Sequence, residues 1–272
     1  MHDRETPAHA VPRVVHALVP RLLRVHRVTE LSRSMRRVTL AGDLAGFATL
    51  AATDHAKVFF PADEASPPTM PVVSDGHWTN RADPGLIHRD YTIRAFRAGQ
   101  GELDLDMVVH GHGPAGRWAA RAAPGQPLGL LGPRSSTMRP LDRDWYVLAA
   151  DETGLPALAN WLERLGRARV DAFCEVGGPE DELDLPTHDG VRVTWLHRGT
   201  APPGTSRLLP DAVAGCRFAR GPGYVWAAAE ASQVRAIRAE VKRRGLGPDS
   251  FSTTGYWRLG VANFDHKSPE AQ

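Results

Sequence analysis

The sequence predicts two domains in a fixed order, a small antiparallel β-barrel of six strands followed by a parallel α/β domain. Three observations carry this. The chain has 272 residues, about two domains at a typical ~150 residues each. Its first half holds short strand-like runs separated by turn residues, the pattern of an antiparallel barrel. Its second half alternates apolar strands with helical periodicities, the pattern of a parallel sheet. The change falls at Pro140-Leu141-Asp142-Arg143, which reads as a linker, and no internal repeat intervenes.

In chain order, residues 1–20 read as an N-terminal arm. Its mildly apolar stretch from Ala10 to Val19 is broken by Arg13 and His16 and lacks the small-residue cleavage site of a secretory leader. The barrel is expected over 21–139. Its six strands are Arg21–Leu31, Met35–Ala41, Ala56–Phe60, Tyr91–Phe96, Glu102–Val109 and Pro127–Leu131. The fifth is the clearest, because Leu103, Leu105 and Met107 alternate with Asp104 and Asp106. A helix from Pro114 to Ala123 interrupts them, with Pro at its start and Pro124-Gly125 at its end. Pro61 to His88, rich in proline and poor in apolar residues, is expected to be a long surface loop.

The α/β domain is expected over 144–260, with 261–272 as a tail. Trp145–Ala150, Val170–Val176, Val191–Leu196, Tyr224–Ala229 and Phe251–Trp257 are its strands. Helices are read from Leu155, Leu158, Leu162 and Leu165 on one face, over Thr205–Val213, and from Val234, Ile237 and Val241.

Composition narrows the function classes. At 42% hydrophobic and 24% charged residues the chain is an ordinary globular one. Its net charge of +2 and 7% aromatics, with no basic-aromatic stripe, argue against nucleic acid as a partner. No apolar run reaches the roughly 18 residues of a membrane span. Cys174 and Cys216 form no disulfide framework, which fits a reducing, cytoplasmic location. Only Lys57, Lys242 and Lys267 are lysines among 33 Lys and Arg residues. A single arginine therefore carries little information, whereas Lys57 stands out.

Four local clusters bear chemistry. In Arg89-Asp90-Tyr91-Thr92-Ile93-Arg94, a strand would turn Arg89, Tyr91 and Ile93 to one face. An Arg and a Tyr on one face suit a flavin, the guanidinium for pyrophosphate and the ring for stacking. The same pattern describes an exposed strand with cross-strand charge pairs. His110-Gly111-His112-Gly113-Pro114-Ala115-Gly116-Arg117-Trp118 follows a strand and opens a helix. A Gly-rich turn at a helix N-terminus presents N–H groups to a phosphate. The alternatives are a tight turn with a core Trp118, and a His110/His112 metal pair that lacks a third ligand nearby. Asp151-Glu152-Thr153-Gly154-Leu155-Pro156 lies between a strand and a helix, where ligands of open α/β sheets bind. It is no GxGxxG, and its acids would equally cap the helix. Ala229-Glu230-Ala231 has the same ambiguity.

Together these residues resemble the siderophore-interacting flavoproteins, ferric-siderophore reductases of the ferredoxin-reductase-like group. The resemblance runs from about Arg21 to Gly260. It rests on Met35–Leu40, Arg89–Arg94, His110-Gly111 with Gly113–Trp118, Pro124-Gly125, Gly132-Pro133-Arg134, Asp151–Pro156, Trp195–Arg198, Ala229–Ala231 and Gly255-Tyr256-Trp257-Arg258. The resemblance implies an FAD-binding barrel. Arg89, Asp90, Tyr91 and Thr92 are expected at the flavin, with His110, Gly111, Gly113, Ala115, Gly116 and Trp118 around the ribityl, phosphate and adenosine parts. Gly116 stands where such proteins often have Ser, and Ser135 where Gly is expected. The family also implies that Lys57, Arg134 and Arg258 attract an anionic ferric siderophore. Asp151, Glu152, Thr153, Arg198 and Glu230 are expected at NAD(P)H. Glu175 at a strand end favours NADH, while His197 and Arg198 favour NADPH; we lean to NADPH, with a reduced ferredoxin as a further electron source. The implied activity is FAD-dependent reduction of ferric siderophores with no protein nucleophile or general acid. The rivals are a flavin reductase serving another acceptor and a flavin-free siderophore-binding module.

Overall fold

The computed structural model describes residues 11–63 and 66–264. The first half contributes β1 (Arg13–Val15), β2 (Pro20–Ser32), β3 (Met35–Ala41), β4 (His55–Phe60), β5 (Val73–Ser74), β6 (His77–Trp78), β7 (Ile87–Thr92), β8 (Ala95–Arg97), β9 (Glu102–Val108), α1 (Gly113–Arg121), β10 (Pro127–Leu131) and β11 (Ser135–Thr137). Seven of these form one antiparallel, barrel-like sheet in the order β7-β4-β10-β2-β3-β9-β8. Its interior is filled by Leu23, Val38, Leu40, Val58, Phe60, Leu103, Leu105 and Met107, and α1 closes one end with Trp118 and Ala119.

Two expectations about this half are corrected. It has seven strands rather than six, because the run expected as one strand over Tyr91–Phe96 breaks at Ile93-Arg94. Its two halves, β7 and β8, lie at opposite edges of the sheet. At the break, Ile93 N donates to Asp54 O at 2.8 Å and Arg94 N to Asp104 O at 2.9 Å. The edges thus meet through two residues and the ladder does not close. An apolar residue at the break, Ile93, buried at 2% exposure, hides the turn from a reading by alternation. The second correction concerns 61–88, which is not loop throughout. β5 and β6 pair as a hairpin, and Trp78 is buried edge-on against Phe59 at 5.6 Å. Within the expected arm, β1 pairs with β11; residues 1–10 and 265–272 lie outside the described residues.

Alternation in β9 holds for Leu103, Leu105 and Met107, but Asp104 and Asp106 are buried as well. Each carries its own cation: Arg97 Nη1 bonds Asp104 at 2.6 Å and Arg37 Nε bonds Asp106 at 2.7 Å. Paired in this way, a carboxylate tolerates burial.

The second half contributes β12 (Trp145–Asp151), α2 (Leu155–Arg164), β13 (Arg169–Val176), β14 (Val191–His197), α3 (Leu208–Gly215), β15 (Gly223–Glu230), α4 (Ala231–Arg243) and β16 (Phe251–Trp257). All five strands are parallel, in the order β14-β13-β12-β15-β16. Residues alternate between two cores: Leu148 and Trp226 pack with α2 on one face, Val147 and Val225 with α3 and α4 on the other. The strand order reverses between β12 and β15, which opens a crevice at their carboxyl ends. Gly154 lets α2 start there, since a Cβ would lie 2.3 Å from Ala228 O.

The two sheets are joined through α2. Asn160 Nδ2 donates to Ile93 O at 2.9 Å and Ala52 O at 3.1 Å, and its Oδ1 accepts from Arg94 at 3.2 Å. Arg94 also bonds Glu163 at 2.7 Å, and Arg164 bonds Leu50 O at 2.6 Å. The residues that break the barrel strand are therefore among those on which the second domain docks.

Candidate functional site

A cleft of about 1360 Å³ runs between the sheets. From the barrel side Arg89, Asp90, Tyr91 and Thr92 line it, all from β7. Thr92 is buried, and Tyr91 packs edge-on to Phe60 at 6.1 Å. Burial raises the pKa of the Tyr91 hydroxyl and lowers that of the Arg89 guanidinium. Arg89 Nη1 donates to His88 O at 2.6 Å and to Asn263 Oδ1 at 3.2 Å, so the segment after β16 crosses the cleft to reach it.

The start of α1 forms the next wall, with His110, Gly113, Ala115 and Gly116 lining the cleft. No side chain caps its first turn, so its N–H groups are left for an anion. Gly113, at φ 71°, sits in the left-handed region, and a Cβ there would lie 4.0 Å from the His110 ring. A Cβ on Gly116 would come within 2.5 Å of the His110 ring. A side chain at Gly116 would therefore require the His110 ring to move. Burial and neighbouring His112 lower the pKa of His110. These features suit a flavin dinucleotide: a guanidinium and a phenol on one strand, next to an uncapped helix start.

Several expected contacts lie elsewhere. Trp118 is core, edge-on to Phe60 at 5.7 Å. Gly111 lines a smaller side pocket of about 430 Å³ rather than the cleft. Lys57 stands opposite Asp90 in the β4–β7 register, with Nζ 3.0 Å from its carboxylate, and does not line the cleft. Arg134 and Arg258 do line it. Among the described residues no group of three or more His, Cys, Asp or Glu could hold a metal, and the rings of His110 and His112 stand 6.5 Å apart.

The α/β side contributes Glu152, Thr153 and Arg198. Glu152 Oε1 lies 2.6 Å from Arg198 Nη1, with side chains 8% and 10% exposed. Burial, with Asp151 beside it, pushes the Glu152 carboxyl up to about 7 against the opposing pull of Arg198. Asp151 and Glu230 are internal struts that do not line the cleft. Asp151 accepts from Thr153 N at 2.9 Å, Glu230 N at 3.0 Å and Trp257 Nε1 at 2.7 Å. Glu230 caps α4 through Ser232 N at 2.5 Å and also receives Leu259 N at 3.3 Å. Glu175, expected to meet a ribose, is 1% exposed and holds Ser206 Oγ at 2.7 Å and Gln233 Nε2 at 3.0 Å. His197 pairs outward with Glu182 at 2.8 Å.

The sequence reading missed the closing wall, formed by Tyr256, Trp257, Asn263 and Phe264. Tyr256, whose hydroxyl is pushed up to about 12 by burial, has Thr92 as its hydrogen-bonding neighbour. Its signal was the Gly255-Tyr256-Trp257-Arg258 run, whose aromatics alternate out of an edge strand.

Residues 24–137 match the family model described as the siderophore-interacting FAD-binding domain, and 143–260 that described as siderophore-interacting protein. The chain belongs to the siderophore-interacting protein family. It is 36% identical to the ferric vibriobactin reductase of Vibrio cholerae over 187 residues, 68% of this chain and 69% of that one. It is 30% identical to the NADPH-dependent ferric-chelate reductase of Escherichia coli over 253 residues, 90% of this chain and 95% of that one. Among solved structures it resembles a siderophore utilization protein from T. fusca, at 45% identity and TM-score 0.90, covering 94% of this chain and all of that one. In this siderophore-interacting protein, no helix of the described residues is long and apolar enough to cross a membrane.

Proposed function

We propose that this protein is an FAD-dependent reductase that draws electrons from NADPH or NADH and reduces ferric siderophores in the cytoplasm, freeing iron as Fe(II). One observation carries the reading: a single cleft joins the β7 Arg-Tyr-Thr set, the uncapped start of α1, Arg134 and Arg258, and the carboxyl end of a parallel sheet. The barrel domain, 21–139, serves FAD and the α/β domain, 144–260, serves the donor. Arg89 holds phosphate, Tyr91 stacks on the ring, and Thr92 meets its polar edge. When bound, the flavin supplies the step from a two-electron donor to a one-electron acceptor. The balance is one NAD(P)H and two Fe(III) giving one NAD(P)⁺, two Fe(II) and one proton. Hard anionic oxygen ligands hold Fe(II) less tightly than Fe(III), so reduction loosens the chelate.

Arg134 and Arg258 supply the positive field that raises the local concentration of an anionic chelate. Lys57 contributes through Asp90, whose charge it offsets at the cleft edge. The test is anaerobic Fe(II) trapping with a coloured Fe(II) chelator, in mixtures of protein, FAD, NADPH and a ferric tris-catecholate. Colour that depends on all three additions supports the reading. Turnover of a quinone with no Fe(II) formed would favour a general flavin reductase. Purification without flavin, and failure to take it up, would favour a binding module.

A further inference from the structure

Arg198 follows β14 and Glu152 follows β12, with β13 between them in the sheet. For the two to meet, the arginine must cross the end of β13, and the residues there are Gly177 and Gly178. A Cβ on Gly177 would lie 2.6 Å from Asp181 Oδ2 and 3.9 Å from Arg198 Nη2. The side chain passes Gly177 at ordinary contact distance. At its end Nη1 and Oε1 stand 2.6 Å apart, yet both are buried and neither makes an aligned hydrogen bond. The pair is close in charge and poor in geometry, whereas a phosphate offers a guanidinium two parallel bonds.

The start of α4 offers a phosphate little, because Glu230 accepts from Ser232 N and Gln233 N. At α2 no side chain caps the first turn, but Pro156 has no N–H to give and Gly154 N is taken by Asp151 O at 2.9 Å. At the carboxyl ends of the parallel strands Arg198, after β14, and Arg258, after β16, line the cleft, and Arg198 is the one beside Glu152.

We propose that Glu152 is an internal counter-ion of the donor site, holding Arg198 until a phosphate of the pyridine dinucleotide displaces it, and taking up a proton from solvent as it leaves. The proposal rests on the reading of this cleft end as the donor site. The charged groups facing Glu152 are Asp151 on its own turn and Arg198 from β14, with Asp181 beyond, beside Gly177. Freed from Arg198, the carboxylate is left with Asp151 in a buried place, and protonation relieves it. Because its pKa is already pushed up to about 7, displacement is easy near neutrality. Above that, each pH unit weakens donor binding by up to about tenfold.

The experiment is calorimetric titration of the oxidised, FAD-loaded protein with NADP⁺ and NAD⁺ at pH 8, in two buffers of different ionisation enthalpy. The parent protein should take up nearly one proton per NADP⁺ bound. Glu152→Gln should take up almost none and bind about tenfold more tightly at pH 8. Uptake with NADP⁺ alone assigns the 2′-phosphate to Arg198, and uptake with both dinucleotides assigns the pyrophosphate. Binding without uptake in the parent overturns the proposal whether or not the variant folds, as does unchanged uptake in Glu152→Gln or absence of dinucleotide binding. Reoxidation of dithionite-reduced protein by a ferric siderophore bypasses the donor site. Loss of that reaction would sink the reductase reading while leaving the proton measurement intact.

Discussion

Replacing Asn160 by alanine should loosen the join between the two domains. In the folded protein its amide is 4% exposed and donates to two barrel carbonyls, Ile93 O and Ala52 O, while Arg94 donating to Oδ1 fixes the amide's orientation. Removing the amide takes one donor from each buried carbonyl and one acceptor from Arg94. A buried polar group left unsatisfied costs about 1–3 kcal/mol. Partial relaxation and the remaining Arg94–Glu163 and Arg164–Leu50 bonds bring the expected loss to about 2–4 kcal/mol, a fall in melting temperature on the order of 5–10 °C. The assay is thermal unfolding of the FAD-loaded protein, followed by both flavin release and backbone signal. Asn160→Asp has nearly the same shape but presents a carboxylate to two carbonyl oxygens, so it should be at least as damaging as alanine. An alanine variant melting within about 1 °C of the parent, or an aspartate variant more stable than the alanine one, would refute the reasoning.

Three further outcomes are expected. Arg89→Ala should lose most of its FAD on gel filtration, because a charge-assisted phosphate contact is removed from a half-buried site; full retention would move the flavin phosphate away from β7. Gly154→Ala should be expressed poorly or unfold early, since its Cβ would meet a backbone oxygen at 2.3 Å and overpacking costs about 1–3 kcal/mol or more; a soluble variant with a parental melting curve would contradict that contact. The Glu152 carboxyl is raised to about 7 from the ordinary 4.5, so the folded state binds more protons than the unfolded state between those values. Stability should therefore fall as pH rises from about 4.5 to 7, by up to about 3 kcal/mol, and urea unfolding at several pH values should show a flatter slope in Glu152→Gln.

Much of the fold was legible because burial in it follows simple periods. Leu103, Leu105 and Met107 alternate inward, and Val234, Ile237 and Val241 recur at helical spacing with every one buried. The break at Ile93 was not legible, since an apolar residue at a strand switch looks like an apolar residue in a strand. Nor was the β5–β6 hairpin, whose two-residue strands carry no period. In the site, the clusters at Arg89–Thr92 and His110–Gly116 stood out by residue type. Partnership did not: Lys57 drew attention by its rarity, but its opposition to Asp90 depends on the β4–β7 register. Glu175 sits at a strand end as expected, yet Ser206 and Gln233 arrive from distant elements to bury it. The crossing of Asn263 to Arg89 joins residues 174 positions apart, a tertiary event no local pattern records.

The central claim is that this cleft passes electrons to an anionic iron chelate held by its basic edge. The most direct measurement is single-turnover reoxidation of the reduced, FAD-loaded protein, mixed anaerobically with a ferric tris-catecholate or with a near-neutral ferric hydroxamate. Flavin absorbance should return with both and faster with the tris-catecholate. Arg134→Ala with Arg258→Ala should erase that advantage at low salt, and rising ionic strength should erase it in the parent, because attraction between exposed charges is screened over roughly 8–10 Å. Equal rates for the two chelates in the parent, unmoved by salt or by the double variant, would contradict the account.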